Sequence, residues 1–132
     1  MPEKAQRAAE SLADAGVDDL VEIRVGDAFA TLIDLHADVD LLFLDLDLDG
    51  SNDLSLAVLA LLEPRLAPHA LVIADMSHDE PHHARYREHV TDPARGCLST
   101  ELPLDAGLVI SSGPRQRGAD PVTVRVAPSP IR

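Results

Sequence analysis

The sequence predicts an α/β fold on a mainly parallel sheet, closed by an antiparallel C-terminal hairpin. Three observations predict it. The apolar runs at residues 39–45 and 70–75 each end in a carboxylate, Asp45 and Asp75, which is the pattern of buried parallel strands delivering acids to one sheet edge. Stretches with helical spacing separate the strand-like runs. The last two patterned stretches, 108–112 and 122–126, are joined by too short a connection for a crossover, so they should be antiparallel. Open α/β sheets bind ligands at the carboxyl edge, which puts the two acids at the centre of the functional reading.

Residues 3–15 are rich in Ala, Glu, Gln and Arg, with Ala5, Ala8, Ala9, Leu12 and Ala13 at helical spacing, and Gly16 follows as a stop. Residues 20–25 alternate Val21, Ile23 and Val25 with Glu22 and Arg24, a strand with one wetter face ended by Gly26-Asp27. Residues 28–35 read as a short helix with Phe29, Leu32 and Ile33 on one side. The strand from Val39 follows. Asn52 or Asp53 can cap a helix from residue 54 to about 62, ended by Pro64. Residues 63–68 connect to a strand at 71–75. Asp79-Glu80-Pro81 opens a helix to about residue 90. Residues 97–102 and 108–112 are strand-like, and Val122-Thr123-Val124-Arg125-Val126 reads as the hairpin partner of the latter.

At 132 residues the chain is expected to form one domain over residues 1–127, with 128–132 as a tail. Aromatic content is 2%, so the core must be aliphatic. A net charge of −12 opposes binding to nucleic acid or an anionic membrane, because phosphates are repelled. The single Cys97 forms no internal disulfide, which fits a reducing compartment. No run approaches ~18 apolar residues, so no spanning helix is expected. Met1-Pro2-Glu3-Lys4 opens no apolar leader, and the expected location is cytoplasmic.

Two acid-rich motifs compete for the stretch after Phe43. Asp45-Leu46-Asp47-Leu48-Asp49-Gly50 matches the start of a calcium loop, D-x-D-x-D-G, which would make Asp45 to Asp53 a Ca²⁺-binding module. Position twelve is Leu56, where that loop needs a bidentate Glu, and the preceding segment reads as a strand. Asp47-Leu48-Asp49-Gly50-Ser51 resembles the nucleophile motif of haloacid-dehalogenase-type phosphatases, but the only lysine, Lys4, lies upstream. His78 and His82 share a helix face at i, i+4, yet no further ligand completes a zinc spacing, and an exposed polar face is the plainer reading. Asp27 alone reads as a helix cap, and Cys97 as a small buried apolar residue opening a strand.

Taken in order, Pro2-Glu3-Lys4-Ala5, Val21-Glu22-Ile23-Arg24-Val25-Gly26-Asp27-Ala28, Leu42-Phe43-Leu44-Asp45, Leu61-Leu62-Glu63-Pro64-Arg65-Leu66, Leu71-Val72-Ile73-Ala74-Asp75 and Glu101-Leu102-Pro103-Leu104-Asp105-Ala106-Gly107-Leu108 resemble a class I S-adenosylmethionine-dependent O-methyltransferase of the catechol or caffeoyl-CoA type. The resemblance covers roughly residues 2–112 and implies a Rossmann-like sheet. It implies S-adenosylmethionine as cofactor and a small-molecule acceptor. It implies that Asp27 with Ala28 contacts the adenine amino group, and that Asp45 lies by the methyl donor, with a catalytic part. It further implies that Asp45 and Asp75 hold a divalent cation, Mg²⁺ or Ca²⁺.

Three departures accompany it. Met76 stands where the family keeps an Asn ligand, and a thioether is a poor ligand for a hard cation. Leu48 stands where the family keeps a Lys that helps deprotonate the acceptor. No G-x-G turn occurs in the sequence, so the strands and turn that would hold the ribose and methionine are expected to precede Met1. That makes the chain an N-terminally truncated form whose strands at 20–25 and 39–45 face a gap. An inactive or split methyltransferase domain, working through a homo-oligomer or a complementing chain, is therefore the alternative to an active enzyme.

Overall fold

The computed structural model describes residues 2–46, 54–76, 83–104 and 107–113. Helix α1 (Pro2–Asp14) ends where the amide of Val17 bonds the carbonyl of Leu12 and that of Gly16 bonds Ala13. Gly16 takes φ 68 to do so, the left-handed stop expected of it. No described side chain of α1 is buried.

Residues 21–25 correct the first strand expectation. The segment belongs to no sheet, and Val21, Ile23 and Val25 are all exposed. Alternation gives a chain two faces, but a strand exists only where a neighbour completes the ladder, and no described residue pairs with this segment. Helix α2 (Ala28–Leu32) follows, shorter than expected, with one further turn to Leu35.

Strand β1 (Val39–Leu44), helix α3 (Leu54–Leu62) and strand β2 (Leu66–Asp75) form the central unit. β1 and β2 are parallel. Val39 pairs with Leu66, and the ladder resumes at Leu41 with Leu71. The irregularity between them takes up Pro68, which has no amide to give to a ladder. The continuous pairing thus starts at Leu71, where the apolar run predicted it.

Helix α4 (Ala84–Thr91), a short turn at Pro93–Arg95, strand β3 (Ser99–Leu102) and strand β4 (Leu108–Ser112) complete the described chain. β3 starts two residues after Cys97, which is half-buried rather than buried in a strand. The sheet order is β1-β2-β4-β3, with β4 antiparallel to both its neighbours. β4 therefore has both edges occupied. The hairpin partner expected at 122–126 lies outside the described residues.

One face of the sheet holds the core. Leu44, Val72, Ala74 and Val109 pack with Val58, Leu59 and Leu62 of α3 and with Tyr86 and Val90 of α4 in one buried cluster. The buried positions of α3 recur at three- and four-residue steps, so one side of this all-apolar helix meets the sheet. Each such aliphatic side chain contributes about 1.5–3 kcal/mol by leaving water. The other face is open. Leu41 and Leu71 are register partners and are 59% and 47% exposed, with Phe43 beside them at 57%.

Candidate functional site

The ladder between β1 and β2 places the two predicted acids together. Leu44 pairs with Ala74, and Asp45 and Asp75 are the next residues of the two parallel strands. Leu44 and Ala74 are both buried in the core, so strand alternation turns Asp45 and Asp75 toward the open face. Asp45 is exposed and Asp75 is half-buried. Two carboxylate-bearing residues thus follow one another's register at the carboxyl edge, Asp75 ending β2 and Asp45 just past the end of β1.

Met76 lies elsewhere. Its side chain is 1% exposed and belongs to the core, while its amide donates to the carbonyl of Gly107 at 2.8 Å. The residue that replaces the expected amide ligand therefore packs the fold and does not face the edge. Among the described residues no group of three His, Cys, Asp or Glu side chains could hold a metal ion. Leu48, Asp47, Asp49, Asp53, His78 and His82 lie outside the described residues. Asp45 follows a strand and not a helix, which is not the flank a calcium loop requires.

Asp27 is the N-cap of α2. Its Oδ1 accepts from the amide of Ala30 at 3.0 Å, and its carbonyl accepts from the hydroxyl of Thr31 at 2.9 Å. Gly26 makes the turn possible. It takes φ 149, and a Cβ there would lie 3.1 Å from the methyl of Thr31. Oδ2 of Asp27 has no protein donor among the described residues and faces solvent with the exposed carboxylate. Ala28 is half-buried behind it. Structure thus joins Asp45 to Asp75 and leaves Asp27 on a separate loop.

Arg24, unremarked in the sequence, braces that loop. It donates to both carboxylate oxygens of Glu22, to the carbonyl of Thr31 and to Asp34. The Glu22 hydrogen bond raises the guanidinium further above its already high value. Glu22, Arg24, Val25, Ala30, Thr31 and Asp34 line an open cleft of about 260 Å³. None of the three predicted acids lines it.

A second polar group was also hidden from sequence reasoning. Glu63 accepts from Nη2 of Arg95 with both oxygens, and its Oε1 lies 2.7 Å from Nε2 of His89. His89 is therefore tied to Glu63, 20% exposed, and not part of an open polar helix face. A separation of 26 residues between the partners leaves no local signal.

Residues 1–92 match the family profile described as a methyltransferase domain. The chain belongs to that methyltransferase family. Solved structures agree with the assignment. A methyltransferase from Geobacter sulfurreducens is 25% identical with a TM-score of 0.67, over 84% of this chain and 53% of that one. A protein assigned as an O-methyltransferase from Klebsiella pneumoniae is 26% identical with a TM-score of 0.65, over 83% and 57%. One assigned as a caffeoyl-CoA O-methyltransferase from Staphylococcus aureus shares the fold at 24% identity and a TM-score of 0.63, over 82% and 58%. No match to a curated protein was found. The methyltransferase chain spans little more than half the length of these structures.

The family implies S-adenosylmethionine, and the residues fit it in part. Oδ2 of Asp27 is available to accept from an adenine amino group, and Asp45 stands at the edge where the fold binds its ligand. For the methionine carboxylate the sequence offers no Gly-rich turn of the G-x-G kind. As a metal centre the two carboxylates suit only a weakly held Mg²⁺ that keeps most of its coordination in water or substrate oxygens.

Proposed function

We propose that this chain serves S-adenosylmethionine-dependent O-methylation of a small molecule. The observation that carries the reading is the Asp45–Asp75 pair, side by side at the carboxyl ends of two parallel strands in a methyltransferase sheet. In this reading Asp27 and Ala28 hold the adenine, and Asp45 borders the methyl donor. Asp45 and Asp75 would together hold a divalent cation, which would supply Lewis-acid activation of the acceptor hydroxyl. When bound, the cofactor supplies an electrophilic sulfonium methyl group. With Leu48 where the family's Lys stands, proton removal falls to a carboxylate or to solvent.

Isothermal titration with S-adenosylhomocysteine tests this. Measurable binding that weakens in Asp27→Ala supports it, and no heat from a chain that is folded by circular dichroism overturns it.

The open outer edge of β1 favours a second reading. Among the described residues nothing pairs with that edge, and the sequence holds no G-x-G turn for the methionine end of the cofactor. A domain of this kind would work as an inactive or split methyltransferase, through a second copy or a complementing chain. Folded protein with no cofactor affinity is the result that selects it.

A further inference from the structure

Arg24 reaches the turn of Asp27 through one residue, Thr31. We infer that Arg24 is a positioning residue, which holds the Asp27 carboxylate where it receives the amino group of a 6-aminopurine. The inference rests on the reading of Asp27 as the adenine acceptor.

Thr31 grips the turn at Gly26-Asp27. Its amide donates to the carbonyl of Asp27 at 3.0 Å, and its hydroxyl donates to the same oxygen at 2.9 Å. Its methyl packs so close over the turn that a Cβ at Gly26 would lie 3.1 Å from it. One residue earlier in the same helical turn, the amide of Ala30 fixes Oδ1 of Asp27. A shift of Thr31 therefore moves the backbone of Asp27 and its capping bond together. The direction of the carboxylate depends on where Thr31 sits.

The carbonyl of Thr31 is left over by the helix. α2 ends at Leu32, and the last four carbonyls of a helix have no partner within it. Leu35, whose amide a continuing helix would aim at Thr31, donates to Leu32 instead. Nη1 of Arg24 takes its place, at 2.6 Å from the Thr31 oxygen. A cation suits this end of a helix, where the carbonyl dipoles point.

Glu22 and Asp34 aim the guanidinium. Glu22 accepts from Nε at 2.9 Å and from Nη2 at 3.2 Å, and Asp34 accepts from Nη1 at 3.0 Å. These two side chains are 73% and 72% exposed, where an ion pair adds little stability. Arg24 itself is 29% exposed. The acids thus orient a fork whose inward contact is Thr31. Every partner lies within ten residues of Arg24 along the chain, so the brace is local and calls on no other element of the fold.

Amide hydrogen exchange of the full 132-residue chain tests the positioning without any ligand. In Arg24→Gln the amides of Ala30 and Thr31 should exchange at least about fivefold faster, with those of β2 unchanged. Rates unchanged in the variant, or already those of unstructured chain in the wild type, overturn the proposal. Isothermal titration tests the consequence, with S-adenosylhomocysteine and with S-inosylhomocysteine, which carries an oxo group in place of the amino group. The wild type should prefer the amino base, and the preference should fall severalfold in Arg24→Gln. Placed on Asp27→Asn, Arg24→Gln should remove little more, because it acts through Asp27. Arg24→Lys keeps the charge without the planar fork and should lose the preference as Gln does. A preference that survives Arg24→Gln, or that lysine restores, overturns the proposal. A wild type that binds neither compound overturns the adenine reading instead, and the exchange rates then still decide whether Arg24 fixes Asp27.

Discussion

Asp45 and Asp75 leave neighbouring parallel strands at the same level, because Leu44 and Ala74 before them are register partners. Like charges placed this way cost about 0.2–1 kcal/mol. Asp45→Asn should therefore raise the urea midpoint at low salt, and the gain should shrink at high salt as the charges are screened. Mg²⁺ should raise the melting temperature of the wild type more than that of Asp45→Asn or Asp75→Asn. Equal shifts in all three would remove the cation from the proposed site.

Asp27 has a structural task that can be separated from any ligand. Its Oδ1 caps α2 through the amide of Ala30. Asp27→Ala should cost about 0.5–2 kcal/mol in chemical unfolding, whereas Asp27→Asn keeps a capping oxygen and should cost little. If the carboxylate also receives the adenine amino group, Asn should still weaken S-adenosylhomocysteine binding, since a charged acceptor bonds more strongly. A cofactor affinity unchanged in Asp27→Asn would restrict the residue to capping.

Glu63 joins the turn after α3 to both α4 and the turn before β3. It is 18% exposed and serves Arg95 and His89 at once. Glu63→Ala should cost about 1.5–3 kcal/mol, the range for hydrogen bonds to charged groups. His89→Ala should cost less, because the Arg95 contact survives. The double variant should cost less than the sum of the singles, since both remove one shared contact. Additive losses in urea denaturation would mean that the 2.7 Å contact carries no energy.

Cys97 should react slowly with thiol reagents near pH 8. Burial pushes its thiol above the usual range, Arg95 pulls it down, and Glu63 and Asp92 add to the rise. A raised value means less thiolate at a given pH, and the thiolate is the nucleophile. Reaction with a disulfide reagent should be several-fold slower in the folded chain than in urea, and should accelerate above pH 9. Arg95→Ala removes the lowering influence and should slow it further. A folded-state rate equal to that in urea would contradict the assignment.

Much of the fold was legible because its elements carry their own signals. The runs ending in Asp45 and Asp75 became β1 and β2, α3 follows its apolar composition to Leu62, and Leu108–Ser112 became β4. Residues 21–25 show the limit. Their alternation is clean, but β4 is paired on both edges and has Val109 and Ser111 buried, whereas among the described residues no strand pairs with Ile23. Pattern reports what a segment could bury and not whether a partner arrives. At the site, position marks Asp45 and Asp75 as strand-end acids and Asp27 as a helix cap, and the structure keeps all three there, while any cofactor or metal role for them rests on the family resemblance. The burial of Met76 was not legible, since a residue just past a strand end can turn either way. Arg24 and Glu63 were missed because their partners sit elsewhere in the chain.

The sheet is threaded out of sequence. β4 comes last among the described strands yet lies between β2 and β3, and β3 touches the sheet only through it. During synthesis, β1 and β2 can zip together as soon as residue 75 is free. β3 must wait for residues that follow it, so its four-residue ladder forms only after β4 has docked. A chain arrested before Leu108 would thus hold a two-stranded sheet with α3 beneath it and a bare second edge on β2, the state in which this polypeptide is most open to chaperones, proteases and its own kind.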